Sequence, residues 1–209
     1  MLDDKASLVF LAGSDKIMSY ERLDMRSFIA IAIPDAVKAQ LSAAVKRLTP
    51  QAVDVTWCTK DQFHLTLAFM GETSPAILPH VYEKLSQLCA TIQPFKCRAY
   101  GYGFFGTKRN PKTIWVGAEP VQELGALNEA LCEILKRFGF KLESDAFRPH
   151  ITLGRCVERA RNHPLVLAMD EEQQLDFGSW PAEGLTLYES RLTPKGSIYV
   201  KLNRFPFSG

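Results

Sequence analysis

Hydrophobic positions along this chain recur with two periods, and the switches between them lay out the elements. "RSFIAIAIP", from Arg26 to Pro34, is a short run rich in Ile and Phe that closes on proline, the pattern of a buried strand. "DAVKAQLSAAVKRL" then moves to helical spacing, with Val37, Leu41, Val45 and Leu48 on one face, Pro34 just ahead and Asp35 as the expected N-cap. "VDVTWCT" reads as a short extended segment. "FHLTLAF" alternates as a strand does until Gly71 stops it. "PAILPHVYEKLSQLCATI" is amphipathic and helical, with Pro79 close enough to its start to be tolerated or to split off a first turn.

The second half repeats these signals. "FKCRAYGYGFFG" alternates and carries glycines that allow a bend or bulge, "TKRNPK" is a basic turn, and "TIWVGAEP" is a strand closed by proline. "VQELGALNEALCEILKRFGF" sets Leu124, Leu127, Leu131, Ile134 and Leu135 on one face and ends at Gly139. "RPHITLGR" is again a strand, "VERARNHPLVLAMDEEQQ" is partly helical, and "GLTLYESRL" and "GSIYVKLNRF" flank "TPKG" as a hairpin. Strands and helices mix without strict βαβ alternation, which predicts an α+β fold with antiparallel sheets rather than a doubly wound parallel one. Strand, helix and His-Thr strand occur in the first half; strands, helix and His-Thr strand occur in the second. That order suggests a duplication, with two similar lobes facing each other.

The phrase His-x-Thr-Leu stands in both strands, at His64 and at His150. Residues i and i+2 of a strand share a face. His64 and Thr66 therefore project together while Leu65 and Leu67 turn toward apolar packing, and His150 and Thr152 stand opposed to Ile151 and Leu153 in the same way. Two such strands face to face make a cleft with two imidazoles and two hydroxyls. Histidine's ordinary pKa, near 6.5, makes both protonation states available, so one ring can take a proton from water and the other can give one to a leaving oxygen. Threonine hydroxyls can donate to the non-bridging oxygens of a phosphate. In-line displacement at phosphorus suits this set, and it requires no metal.

Composition narrows the picture. A chain of 209 residues with 46% hydrophobic and 23% charged positions can bury a core without disulfides or a structural metal. The formal net charge of +2 permits an anionic partner without demanding one. Cys58, Cys89, Cys97, Cys132 and Cys156 are odd in number and form no Cys-x-x-Cys pair, which speaks against a disulfide framework or a zinc ribbon and for buried thiols in a reducing compartment. His80, in a helical stretch, and His163, before a proline, lack the spacing of metal ligands, so no metal or cofactor is expected. No apolar run reaches the roughly 18 residues of a membrane span. Residues 1–24 begin acidic and make a poor signal peptide, so they read as an extension ahead of a single bilobal domain over residues 25–209, with the cytoplasm as the expected location.

Together these stretches resemble the 2H phosphoesterase superfamily, and more closely its RNA 2′,3′-cyclic phosphodiesterases, also called 2′-5′ RNA ligases. "MRSFIAIAIP" resembles the opening strand, "HLTLAFMGE" the first motif, "PKTIWVGAEP" the central strand, "FRPHITLGR" the second motif and "LTLYESRLTPKGSIYVKL" the closing hairpin. The resemblance covers about Met25 to Phe205. It implies two mainly antiparallel sheets with helices outside, pseudo-two-fold symmetry and a cleft between the lobes. It implies hydrolysis of a ribose 2′,3′-cyclic phosphate to a 2′-phosphate, on RNA ends or cyclic nucleotides, by a protein expected to act as a monomer. His64 would protonate the departing 3′ oxygen and His150 would activate water, although the symmetry makes the roles look interchangeable. Thr66 and Thr152 would hold phosphoryl oxygens, as would Arg155, which strand parity points away from the cleft unless Gly154 allows a bulge. Arg26 and Phe28 share a face of the first strand and are candidates to meet phosphate and base. Phe69, which matches Arg155 in the first motif, is expected in the core. Lys108, Arg109 and Lys112 offer a basic turn to an RNA backbone. Joining RNA ends through a 2′-5′ linkage would be the same displacement with a 5′-hydroxyl in place of water. The alternatives are a 2′-5′ oligonucleotide phosphodiesterase and a non-catalytic RNA-end-binding module.

Overall fold

The structure is a computed structural model; it describes residues 24–142, 146–158, 161–194 and 196–209. All but the last residue of the expected extension at 1–24 therefore lies outside the described residues. The described residues form nine strands and four helices in the order β1 (Met25–Ile31), α1 (Asp35–Leu48), β2 (Val55–Trp57), β3 (Leu65–Thr73), α2 (Leu78–Cys89), β4 (Phe95–Gly106), β5 (Pro111–Glu119), α3 (Val121–Arg137), β6 (His150–Cys156), α4 (His163–Glu171), β7 (Asp176–Ala182), β8 (Gly184–Thr193) and β9 (Gly196–Pro206). They build two sheets in which every pairing is antiparallel, one ordered β3-β1-β8-β9 and the other β2-β6-β5-β4-β7. This is the α+β architecture that the hydrophobic pattern predicts.

Each helix buries one stripe. α1 buries Val37, Leu41, Ala44 and Leu48, and α3 buries Leu124, Leu127, Leu131 and Leu135 before Gly139, at φ +83°, ends it. Asp35 is not the cap of α1: Pro34 holds that place, and the Asp35 carboxylate sits inside the first turn, 3.3 Å from Lys60. A short 3₁₀ turn, Pro75–Ile77, precedes α2, which starts beside Pro79. α1 and α4 pack on the β2-β6-β5-β4-β7 sheet, at β7 and β4, whereas α2 and α3 pack on the other, at β9 and β3. A continuous apolar cluster runs through both lobes, from Ile29 and Leu65 in one sheet to Ile114 and Ile151 in the other. Among the described residues, no helix is long and apolar enough to cross a membrane.

β7 is absent from the sequence reading. "DFGSWPA" holds a glycine and a proline and looks like a loop; it forms the outer edge of its sheet, where Pro181 faces no further strand.

Candidate active site

Between the sheets lies a cleft of about 700 Å³. It gathers His64, Thr66, His150, Thr152, Arg155, Arg26 and Phe28, the seven side chains that the sequence assigns to catalysis, phosphate and base. Strand parity accounts for the two pairs. Leu65 and Leu67 are buried on one face of β3, as are Ile151 and Leu153 on one face of β6, and the His-Thr edge of each strand is left at the cleft.

Both imidazoles are fixed in the same way. His64 Nδ1–H donates to the carbonyl of Gln62 at 2.6 Å, and His150 Nδ1–H donates to the carbonyl of Arg148 at 2.7 Å. With Nδ1 committed to a carbonyl, proton exchange with a substrate falls to Nε2 on each ring. Aromatic rings hold the imidazoles from the side. Phe28 lies 4.7 Å from His64 and Tyr199 meets it edge-on at 4.9 Å, while Phe105 meets His150 edge-on at 4.9 Å. Burial among these rings lowers the His64 pKa to about 4; the Gln62 carbonyl works against the shift, while Lys38, His150 and Arg155 add to it. That pKa is well below the value near 6.5 expected from sequence, and it leaves His64 neutral at physiological pH.

A bulge brings Arg155 into the cleft. β5 pairs Ile114 with Gly154 and Trp115 with Thr152, so Leu153 is an extra residue, and Leu153 and Gly154 are buried in succession. Gly154 is required by closeness: a Cβ there would stand 2.7 Å from Trp57 Cε3 and 3.0 Å from Val55 Cγ1. The Leu153 carbonyl accepts the backbone N–H of Cys58 at 2.7 Å.

The same device operates in β3 and overturns the expectation for Phe69. β1 pairs Ile29 with Ala68 and Ala30 with Thr66, so Leu67 is extra, and its carbonyl accepts the side-chain amide of Asn128 at 2.7 Å. Leu67 and Ala68 are buried in succession, and Phe69 turns out of the core to line the cleft at 48% exposure. Phe28, by contrast, is 2% exposed and stacked on Tyr188 at 5.2 Å, so its ring backs His64 rather than offering an open face.

Sequence reasoning missed several cleft residues, among them Gln62, Thr113, Lys141 and Tyr199. Only pairing reveals Thr113, which lies opposite Arg155. Cys58 also lines the cleft, but burial pushes its thiol up to about 11 against the pull of Arg155, so it is no thiolate nucleophile. The basic turn stands outside the lining residues, with Lys108 bound to Asp170 at 2.8 Å and Arg109 and Lys112 exposed. Among the described residues lining the cleft, Arg26, Lys141 and Arg155 are cationic and none is an aspartate or glutamate. No three His, Cys, Asp or Glu side chains among the described residues are grouped to hold a metal ion.

Two antiparallel sheets that each deliver a His-x-Thr strand to a shared cationic cleft define a two-histidine phosphoesterase architecture. The family model of the 2′-5′ RNA ligase superfamily matches residues 33–193, and the chain belongs to that superfamily. It is 31% identical to the RNA 2′,3′-cyclic phosphodiesterase of Thermotoga maritima, over 88% of this chain and 97% of the relative. It is 32% identical to the RNA 2′,3′-cyclic phosphodiesterase of Archaeoglobus fulgidus, over 87% and 99%. A solved structure from Thermus thermophilus shares 30% identity and superposes with a TM-score of 0.73, covering 88% of this chain and 99% of that one. The structure of Escherichia coli LigT complexed with 3′-AMP shares 26% identity with a TM-score of 0.69, covering 89% and 99%.

Proposed function

We propose that this protein hydrolyses ribose 2′,3′-cyclic phosphates, on RNA ends and on cyclic nucleotides, to 2′-phosphates, with His64 and His150 as the proton-transferring pair. The observation that carries this reading is the cleft itself: two imidazoles held by Nδ1, two threonine hydroxyls and three cationic side chains, with no carboxylate among the described lining residues. Such a site attracts an anion and can move one proton in and one proton out. The relatives named as RNA 2′,3′-cyclic phosphodiesterases, and the related structure complexed with 3′-AMP, support the same substrate class.

In this reading the cyclic phosphate sits between the histidines. Thr66, Thr152 and Arg155 donate to its non-bridging oxygens, and Arg155 supplies the charge-assisted bond. One imidazole takes a proton from the attacking water through Nε2. The other delivers a proton to the 3′ oxygen, breaking the P–O3′ bond and leaving the phosphate on the 2′ oxygen. The order implied by the resemblance makes His64 the donor. That order requires the bound anion to lift the His64 pKa from about 4, which a negative charge near Nε2 does by offsetting Lys38 and Arg155. Phe69 offers the exposed aromatic face on which a base can stack, and Arg26 is placed at the same wall for the phosphate. Ligation through a 2′-5′ linkage is the same displacement with a 5′-hydroxyl in place of water: the P–O5′ bond forms as P–O3′ breaks, one histidine taking the hydroxyl proton and the other protonating O3′. Five thiols outside any disulfide fit a reducing compartment such as the cytoplasm, and a complete cleft within one chain fits action as a monomer.

Phosphorus NMR of a 2′,3′-cyclic mononucleotide incubated with the protein tests this. A single new resonance from the 2′-phosphate is expected. A 3′-phosphate product, or tight binding without turnover, would overturn the proposal.

A further inference from the structure

Each catalytic imidazole hangs from a carbonyl two residues before it, so the catalytic geometry is only as firm as that carbonyl. In the second half the acceptor peptide is stiffened covalently: Arg148 is followed by Pro149, and a residue before proline has little backbone freedom. In the first half the residue between acceptor and histidine is Phe63, which gives no such restraint.

The side chain of Gln62 fills that role. The 3₁₀ turn Lys60–Gln62 opens with a reciprocal cap, in which the Thr59 side chain accepts the Gln62 N–H and the Gln62 Oε1 accepts the Thr59 N–H at 2.8 Å. The other end of the same carboxamide leaves the turn, and Nε2 donates to the carbonyl of Ser197 at 2.8 Å. These two partners, one donor and one acceptor, fix which way the carboxamide faces. Ser197 belongs to β9, two residues before Tyr199, whose ring meets His64 edge-on at 4.9 Å. One carboxamide therefore ties the turn that holds the His64 acceptor to the hairpin that holds its aromatic wall.

We propose that Gln62 is a positioning residue for the first half of the site, fixing the Nδ1-bonded orientation of His64 through these two side-chain bonds. This rests on the cyclic-phosphodiesterase reading, and its test includes a readout that does not. Gln62→Met keeps the volume and loses both bonds; Gln62→Glu keeps an acceptor for the Thr59 N–H and loses the donor to Ser197. With Gln62→Met, kcat is expected to fall about tenfold with KM nearly unchanged, the kind of loss that follows a small misplacement of a reacting group. Gln62→Glu should fall between Met and the natural residue, and in a His64→Ala background Gln62→Met should cost nothing more. Nitrogen-15 NMR of the imidazoles should show His64 leaving a single Nδ1–H tautomer for a mixture in Gln62→Met while His150 stays unchanged. An unchanged His64 tautomer in both variants overturns the inference, as does a rate loss that persists without His64. If the natural protein hydrolyses no cyclic phosphate, the functional reading fails, while the tautomer measurement still decides the role of Gln62.

Discussion

His64 and His150 occupy matching places. Each donates Nδ1–H to the carbonyl two residues back, precedes a threonine on the same face, and is followed by a one-residue bulge that turns its fifth successor into the cleft. Those successors are Phe69 in the first half and Arg155 in the second. Their cross-strand partners differ to match: Phe28 lies opposite Phe69, and Thr113 lies opposite Arg155. Matching backbone geometry thus presents an aromatic wall on one side and a cation on the other. In the proposed mechanism the symmetry supplies a proton-transferring group on each side of the phosphorus. In the same proposal the asymmetry gives a substrate with one anionic group and one base a single way to lie.

The largest expected effect tests the shared part. His64→Ala and His150→Ala should each lower kcat by about 10²–10⁴-fold with unchanged circular dichroism, and the double variant should be scarcely slower than either single one, because the two act as a unit. An unchanged rate in one of them would mean that the halves are alike in shape only. The next test addresses the unshared part. Arg155→Ala should lower kcat/KM by about 10²–10³-fold whatever base the substrate carries. Phe69→Ala should raise KM by about 5- to 100-fold for nucleotides and leave a base-free ribose 2′,3′-cyclic phosphate unaffected. Equal losses on both substrates would remove Phe69 from base binding.

Smaller effects probe the bulges. Gly154→Ala forces a methyl against Trp57 and should cost about 1–3 kcal/mol in urea unfolding along with activity, as Arg155 is displaced. Ala68→Gly, at the matching place, should cost only about 1 kcal/mol, since that site already holds a methyl. A separate test is acid stability. His64 titrates near 4 when folded and near 6.5 when unfolded, so between those values the unfolded chain binds a proton that the folded chain does not. The stability contribution is complete above pH 6.5 and is lost as pH falls toward 4. His64→Asn should lose less stability than the natural protein between pH 7 and pH 4.5.

Much of this asymmetry is hidden in the chain. Period-two alternation is enough to pair His64 with Thr66 and His150 with Thr152, because parity is a local property. Past the threonine, parity fails in both strands. Gly154 advertises the second bulge, so Arg155 can be suspected; Leu67–Ala68 carries no glycine, and the alternation alone puts Phe69 in the core. The bulge in β3 is sustained by Asn128, 61 residues away, and Gln62 meets Ser197 across 135 residues, distances over which a single sequence gives no signal. The depressed His64 pKa has the same origin, since its aromatic neighbours Phe28 and Tyr199 come from β1 and β9.

The central claim is that one proton shared between two histidines drives the displacement. The pH dependence of kcat/KM on a 2′,3′-cyclic mononucleotide, in EDTA, tests it most directly. The account predicts activity without added metal and a bell-shaped profile. Its acid limb lies near pH 4, where His64 of the free protein takes up a proton, and its basic limb marks loss of the last proton from the pair. A profile flat from pH 3.5 to 9, or activity abolished by EDTA and restored by a divalent metal, would contradict it.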